Sequence, residues 1–411
     1  MPTTPSRSNH ASPARATLCP SPTRLSTSAD RHRPGAGQPH WPRLGWLGLL
    51  SLLGLLWFAP ALLAQVGRGY DFVGDGKRPG PAQTQAWEID RQPPTVIPPR
   101  SEAARFAARA NRAVARRYAA QKAVKVGNLT VAGADLERTA RAIDDWLHSR
   151  KPGKGFPFKL YRSQGEDGQG NVQFTGYFIP RLEVAARPDE RFRFPLYRAP
   201  KDLPRPWPTR AEIDKQGALA GRGLELAWAD DLLEVYFLQV QGSGRLRFQD
   251  GREIWAAYDC GNGHPYKSLG RLLVERGSIP ADRISLRAIR EWMRAHPDDL
   301  VLLDQNPSYV FFKEMAKTPT GAAGVSLIPG ASVAADPTII PAGTVLLAEV
   351  PVLDPHGRLI GHEWRLLFAH DIGGAIKGPG HLDLFFGLGP AAGDRAGDLH
   401  HYGRVWLVLA R

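Results

Sequence analysis

Apolar residues return at every third or fourth position in three stretches of the chain, which is the spacing of one face of a helix. The first stretch, SEAARFAARANRAVARRYAAQKAV (101–124), opens on Ser101, which supplies half of a capping box. The second is ADLERTARAIDDWLH (134–148), and the third is ISLRAIREWMRAH (284–296), which stops at Pro297. The pattern therefore predicts three helices, two of them near the N-terminal side.

After Gly153 the pattern changes to short runs of aromatic and β-branched residues separated by Gly, Pro and Asp. Such runs are typical of strands joined by turns. The predicted strands are VQFTGYFIP (172–180), LEVYFLQVQG (233–242), GTVLLAEVPVL (343–353), RLLFAHD (365–371), HLDLFFG (381–387) and RVWLVLA (404–410). The larger part of the chain is thus predicted to be mainly β.

One apolar run is long enough to cross a bilayer, which takes about 20 residues. LGWLGLLSLLGLLWFAPALLA (44–64) carries no charge, and arginines precede it, as in an export signal. Either the run is cleaved near Ala61 or Ala64, or it is retained as an N-terminal membrane anchor. Both outcomes export the body of the protein.

The segments on either side of this run have the composition of unfolded chain. Residues 1–43 are rich in Pro, Ser, Arg and Thr and are predicted to be a disordered basic tail, and residues 65–100 are predicted to be a linker. The two cysteines, Cys19 and Cys260, lie on opposite sides of the apolar run. We therefore expect neither an intramolecular disulfide nor a lipid anchor directly after the run.

The chain is basic, with a formal net charge of +13. A basic surface favours an anionic partner, but the folded part has no Lys/Arg cluster interleaved with aromatic residues, so we do not expect nucleic-acid binding. The histidines do not have the spacing of a metal site. No metal and no cofactor is expected.

The most informative stretch is AHDIGGAIKGPGHLDLFFG (369–387). On a strand, HLDLFFG places Asp383 between a histidine and a phenylalanine on one face and turns two leucines and a phenylalanine into a core. Such surroundings raise the pKa of a carboxyl group by desolvation. Asp383 is therefore a candidate proton donor.

Two further aspartates accompany it. Asp371 ends the strand before the Gly373–Gly374 pair and is expected to accept backbone N–H groups of that turn. Asp336 precedes a proline in ADPTIIPAGT (335–344), which alone is a turn signal.

Taken together, ADPTIIPAGT, HDIGGAIKG and HLDLFFG resemble the three-aspartate domain of the membrane-bound lytic murein transglycosylase A family. Five other stretches also resemble that family: FTGYF (174–178), GRGLELAWADDLLEVYFLQVQGSGRLRFQDG (221–251), GNGHPYKSLGRLLVERG (261–277), NPSYVFFKE (306–314) and GPAAGDRAGDLHHYGRVWLVL (389–409). The chain departs from the family at Ile179, where a glutamate is usual, and at Ala331, where an arginine is usual. It also lacks the lipid-anchor cysteine of many relatives.

The resemblance implies a mainly β fold, in which a double-psi β-barrel is interrupted by a second β-rich domain, with helices at the N-terminal side. The barrel would combine the end of residues 101–177 with residues 317–411. The inserted domain would be residues 178–316, and a groove would lie between the two.

The resemblance also implies an activity. The family cleaves the β-1,4 bond between N-acetylmuramic acid and N-acetylglucosamine in peptidoglycan and leaves a 1,6-anhydromuramic acid end. One aspartate serves as acid and then as base, because the tethered C6 hydroxyl replaces an external nucleophile. That position is Asp383, with Asp371 and Asp336 as supporting residues. The residues expected to face the glycan are Thr175, Gly176, Tyr177, Gln241 and Ser243.

The expected protein is thus an exported lytic transglycosylase that works in the periplasm. It is expected to be a monomer whose partner is the peptidoglycan strand. It would be attached to a membrane only if residues 44–64 are retained. The main alternative is a non-catalytic peptidoglycan-binding wall protein on the same barrel, since a fold does not fix a function. A hydrolase that leaves reducing ends is a third possibility. The end group of the product distinguishes these cases.

Overall fold

The structure is a computed structural model that describes residues 86–150, 155–281 and 283–411. The predicted tail 1–43, the apolar run 44–64 and most of the linker 65–100 lie outside these residues. Among the helices of the described ranges, none has the length and apolar character needed to cross a membrane.

The helices of the described residues are between 5 and 16 residues long, apart from the 3₁₀ turns. They are α1 (Glu102–Ala115), α2 (Gly133–His148), α3 (Arg210–Asp214), α4 (Leu232–Gln241), α5 (Leu269–Glu275), α6 (Leu286–Ala295) and α7 (Pro390–Asp398), with 3₁₀ helices at Arg116–Tyr118 and Pro297–Gln305.

The strands of the described residues contain more residues than the helices. They are β1 (Trp87–Ile89), β2 (Val124–Val126), β3 (Leu129–Val131), β4 (Phe158–Ser163), β5 (Val172–Ile179), β6 (Arg181–Ala185), β7 (Phe194–Tyr197), β8 (Glu225–Ala229), β9 (Ser243–Phe248), β10 (Glu253–Gly261), β11 (Val310–Met315), β12 (Ser332–Ala334), β13 (Val345–Leu353), β14 (Leu359–Asp371), β15 (His381–Leu388), β16 (His400–Gly403) and β17 (Val405–Ala410).

The three predicted helices are confirmed, and the sequence explains where they begin. The hydroxyl of Ser101 accepts the N–H of Ala104 at 3.1 Å and so caps α1. Helix α2 buries the apolar face that the three- and four-residue spacing predicts. Helix α6 ends at Ala295, two residues before Pro297. Alanines and leucines on these faces pack α1 and α2 against the sheet that contains β4, β13 and β17.

One predicted strand is wrong, because residues 233–242 form most of α4. The carboxylate of Asp231 accepts the N–H groups of Leu233 at 2.8 Å and Glu234 at 3.4 Å, and Gly242 ends the helix with φ of +79°. The run is apolar on nearly every side and is buried, so neither a helical nor a strand period stands out. The two end signals were the informative feature.

Nine strands form the first sheet, in the order β1-β4-β17-β13-β14-β12-β15-β5-β16. The sheet nearly closes on itself, because β16 at the end of the order also lies against β13. A Cβ atom at Gly403 would overlap the carbonyl oxygen of Glu349, so only glycine permits this approach. The interior is filled by leucines, valines and Phe174, all of them buried.

Six strands form the second sheet, in the order β11-β10-β9-β6-β8-β7. Strand β5 of the first sheet passes through Pro180 directly into β6 of the second. Helix α4 packs on the second sheet through Val235 and Leu238. The expected fold class, mainly β with a barrel-type sheet and a second β-rich part, is confirmed.

The cap of α4 yields a prediction. Asp231→Ala leaves two N–H groups of the first turn without their acceptor and should lower the free energy of unfolding by about 1 kcal/mol. Asp231→Asn keeps a side-chain oxygen at the same place and is the matched control. Urea unfolding of the three proteins measures the difference. Equal stability of the alanine and asparagine variants would show that the cap contributes nothing.

Candidate active site

Two of the three aspartates and a threonine lie side by side on neighbouring strands of the first sheet. Strands β14, β12, β15 and β5 are adjacent in that order. Ala334 of β12 pairs with Asp371 on one side and with Asp383 on the other, and Asp383 pairs with Thr175 of β5. The strand register therefore brings together residues that are about 200 positions apart in the sequence.

Strand β15 presents Asp383 as the alternation predicts. Leu382 and Leu384 point into the buried core of the sheet. On the other face, the ring of Phe385 packs against Tyr177 with 5.2 Å between ring centroids. The hydroxyl of Thr175 donates to Oδ1 of Asp383 at 2.8 Å.

This environment changes the acidity of Asp383. Burial raises the pKa of its carboxyl group to about 7, and the nearby Asp371 carboxylate adds to the rise, whereas the hydrogen bond from Thr175 opposes it. A carboxyl group with this pKa is about half protonated near neutral pH. It can therefore both give and take a proton there.

Asp371 is occupied by donors. Its Oδ1 accepts the N–H groups of Ala322 at 2.9 Å and Ile372 at 3.0 Å, and its Oδ2 accepts the hydroxyl of Tyr177 at 3.0 Å. Burial raises the pKa of Asp371, and these three hydrogen bonds oppose the rise. The contacts tie the end of β14 to the loop at Ala322 and to β5. The expected bonds from the Gly373–Gly374 turn are not formed, and only the N–H of Ile372 comes from that side.

Asp336 connects two loops. Its Oδ1 accepts the N–H and the hydroxyl of Thr338 at 3.0 and 2.7 Å, and its Oδ2 accepts the N–H of Gly378 at 2.9 Å. Burial alone would raise the pKa of Asp336, but the hydrogen bonds from Gly378 and Thr338 hold it below the usual value. Asp336 therefore ties the ADPTIIPAGT turn to the end of the Gly-rich loop.

The remaining predicted site residues fall into different places. Gly176 faces α7, where a Cβ atom would lie 2.6 Å from the Cα of Ala396, so its small size serves close packing. Gln241 ends α4, and its side-chain oxygen accepts the N–H of Phe178 at 2.9 Å. Ser243 begins β9 and accepts the N–H of Tyr258 at 3.5 Å. Neither Gln241 nor Ser243 has a hydrogen bond to the aspartates described above.

Two further residues contact the site: His381, which the strand alternation places on the face of Asp383 but without a predicted contact, and Trp255, which was not predicted at all. Nε2 of His381 lies 3.0 Å from the hydroxyl oxygen of Thr175. The ring of Trp255, on β10 of the second sheet, packs against the cluster that contains Tyr177 and Phe385. Strand alternation could place His381 on the face of Asp383, but no sequence signal brings Trp255 there, because it comes from the other sheet.

Metal-binding side chains do not gather at the site. Within the described ranges, no three His, Cys, Asp or Glu side chains are grouped as ligands of an ion. The carboxyl groups of Asp371 and Asp383, both half-buried, instead accept hydrogen bonds from hydroxyl and N–H donors.

The nearly closed sheet and the second sheet define a mainly β protein of the barrel type, whose first sheet carries a carboxyl group with a pKa that burial raises to about 7. Two family models match the chain: the MltA specific insert domain over residues 173–313, and the 3D domain over residues 331–409. The chain belongs to the membrane-bound lytic murein transglycosylase A family.

Curated relatives and solved structures agree. Membrane-bound lytic murein transglycosylase A of Vibrio cholerae is 46% identical over 274 residues, which cover 65% of this chain and 74% of the relative. The Escherichia coli protein of the same name is 43% identical over 275 residues, with the same coverage of 65% and 74%.

Among solved structures, Escherichia coli MltA with bound chitohexaose has a TM-score of 0.66 at 36% identity and covers 80% of this chain and 96% of its own. The membrane-bound lytic murein transglycosylase of Agrobacterium tumefaciens has a TM-score of 0.62 at 30% identity and covers 75% and 93%. The expected fold class and family are therefore both confirmed.

The raised pKa of Asp383 predicts how stability changes with pH. Its pKa is about 7 in the folded chain against 3.8 for the free group, so between these values the folded state binds more protons and stability falls as pH rises. Asp383→Asn removes the ionisation. Its melting temperature should therefore exceed that of the wild type at pH 8 and match it near pH 4.

Asp298→Asn is the control for this experiment, because Asp298 is an exposed carboxylate. Its melting temperature should differ from the wild type by the same amount at both pH values. A wild type that remains as stable as Asp383→Asn at pH 8 would contradict the raised pKa.

Proposed function

We propose that the chain is a lytic transglycosylase that cleaves the β-1,4 bond between N-acetylmuramic acid and N-acetylglucosamine in peptidoglycan, with Asp383 as acid and then base. Its relatives are named lytic murein transglycosylases, and an Escherichia coli neighbour was crystallised with chitohexaose. The observation that carries the proposal is the single carboxyl group, held by Thr175, whose pKa burial raises to about 7.

The proposed reaction has two proton transfers and consumes no water. Asp383 first gives its proton to the glycosidic oxygen, and the bond from that oxygen to C1 of muramic acid breaks, leaving its electrons on the departing oxygen. The C6 hydroxyl oxygen of the same sugar then bonds to C1 and closes the 1,6-anhydro ring. Its proton passes to Asp383, which restores the acid.

The contacts of the other two aspartates support a mechanism with one carboxyl group. A two-carboxylate glycosidase needs a second group free to act as nucleophile or base. Asp371 and Asp336 each accept three hydrogen bonds from the protein. A tethered C6 hydroxyl removes the need for a second nucleophile, because its effective concentration is already high.

We place the glycan between the two sheets, along the segment where β5 leaves the first sheet. Thr175 and the half-buried Gln241 and Ser243 lie on that side and would contact sugar hydroxyls. Tyr177 would act through its hydroxyl on Asp371, and Gly176 would let the strand pass close to α7. The two domains of this arrangement are the barrel, from the end of 101–177 and from 317–411, and the insert 178–316.

The proposed location follows from the substrate. Peptidoglycan lies outside the inner membrane, so the body would work in the periplasm as a monomer on glycan strands, with residues 44–64 as signal sequence or anchor. The relatives are named membrane-bound, which supports attachment.

A murein digest tests the function. Purified sacculi are incubated with wild type, Asp383→Asn and Asp298→Asn, and the muropeptides are identified by mass spectrometry. We expect anhydromuramic ends from wild type and Asp298→Asn, and a loss of at least about 100-fold for Asp383→Asn, since general acid catalysis contributes roughly 100-fold to 10,000-fold.

Each other outcome has a definite meaning. Reducing ends would make the protein a hydrolase. Release of anhydro product by Asp383→Asn at the wild-type rate would show that Asp383 is not the acid. Binding to sacculi without any product from the wild type would favour the non-catalytic wall-binding protein.

A further inference from the structure

We propose that His381 is a positioning residue that acts through Thr175 to keep Oδ2 of Asp383 as the oxygen that carries and exchanges the proton. The inference rests on the proposed function and goes beyond it, because neither family membership nor the acid assignment says which carboxyl oxygen reacts. It assigns to His381 a role that strand alternation alone does not.

The three side chains form a line across two strands. Strands β15 and β5 are parallel neighbours, with Asp383 opposite Thr175. The hydroxyl oxygen of Thr175 is at the centre of the line. It lies 3.0 Å from Nε2 of His381 and 2.8 Å from Oδ1 of Asp383.

Counting hydrogens gives the direction of both hydrogen bonds. A hydroxyl group has one hydrogen to donate, and an ionised carboxylate can only accept. When Asp383 is ionised, Thr175 must therefore give its hydrogen to Oδ1. The hydroxyl oxygen is then free to accept, and its remaining neighbour His381 must carry a hydrogen on Nε2.

His381 is suited to this role because it stays neutral. Burial, with a smaller contribution from the neighbouring His400 on β16, lowers the pKa of its ring to about 4. The ring therefore does not take the proton of Asp383 at the pH of the periplasm. A neutral ring with its hydrogen on Nε2 is a fixed donor.

The remaining groups around Asp383 leave its second oxygen open. Tyr177 on β5 directs its hydroxyl to Asp371, and Asp371 on β14 is an acceptor. Among the described residues, only Thr175 hydrogen-bonds the carboxyl group of Asp383. With Oδ1 held by Thr175, a proton on Asp383 resides on Oδ2, where a glycosidic oxygen can receive it.

Without the histidine, the hydroxyl of Thr175 loses the partner that fixes its rotation. It can then accept from Oδ1 instead of donating to it, and a proton on Oδ1 points at Thr175 and not at the substrate. A fraction of the enzyme would be protonated on the wrong oxygen. Substrate binding would be unaffected, so kcat should fall while KM stays near the wild-type value.

The test compares paired variants by their rate of anhydro-muropeptide release. We expect His381→Leu to lose roughly 10-fold to 100-fold in kcat at unchanged KM, the scale of a misplaced catalytic group. Thr175→Val should show a similar loss in kcat and a change in KM as well, because Thr175 is also proposed to contact the glycan. His381→Gln, which restores an N–H donor, and Thr175→Ser, which restores the hydroxyl, should recover most of the loss. The control is His362→Gln, which removes an imidazole bonded to the carbonyl of Tyr402 elsewhere in the sheet.

The pH profile separates positioning from a merely structural effect. The hydrogen bond from Thr175 favours the ionised form of Asp383 and lowers its pKa. Losing that bond should move the alkaline limb of the kcat profile to higher pH in Thr175→Val and, to a smaller extent, in His381→Leu. A loss of rate without this shift, or unchanged rates in both variants, would overturn the proposal.

A second measurement needs no variant enzyme to be active. Nitrogen-15 NMR of the histidine rings, with His381 assigned by comparison with His381→Gln, should show the hydrogen on Nε2 at pH 7. A hydrogen on Nδ1 would overturn the proposal even if the other variants fail to fold, because the assignment needs only His381→Gln. If the wild type made no anhydro product, the proposed function would fail, whereas this tautomer would still test the hydrogen-bond line.

Discussion

The candidate site depends on one strand pairing, that of β5 with β15. The two strands are parallel neighbours in the first sheet, and their register sets Thr175 beside Asp383 and Tyr177 beside Phe385. Because β15 has a neighbour on each side, Asp383 stands on a strand held at both edges, half-buried on the face that also carries Tyr177 and Phe385. Desolvation, and with it the raised pKa of Asp383, follows directly from this position.

The same position has a cost in stability. An ionised carboxyl group in a buried strand is unfavourable, and a single hydrogen bond from Thr175 offsets only part of the desolvation. Asp371 and Asp336 are better compensated, since each accepts three hydrogen bonds. The least satisfied of the three carboxyl groups is therefore the one proposed to react, as is common where function conflicts with stability.

The position of Asp383 on its strand could be predicted from local sequence. Alternation along HLDLFFG correctly predicts which face of the strand carries Asp383, because the side chains of a strand have a fixed period of two. The run 233–242 was misassigned because its residues are buried on nearly all sides, and only Asp231 and Gly242 mark it as a helix. What the sequence could not provide was pairing between residues distant along the chain, which for His381 and Thr175 are 206 positions apart and for Asp336 and Gly378 are 42. The bridge from His381 through Thr175, the reach of Asp336 to Gly378 and the packing of Trp255 all depend on it.

Strand β5 also connects the proposed acid to the second sheet. One of its edges holds Asp383 through Thr175, and its end continues through Pro180 into β6. At that exit Gln241 of α4 accepts the N–H of Phe178, so the helix on the second sheet fixes the strand just past the site. Trp255 packs on the same region from β10. A glycan held between the sheets would therefore contact elements that fix the position of the carboxyl group. Binding energy remote from the bond that breaks can then be used to orient the acid.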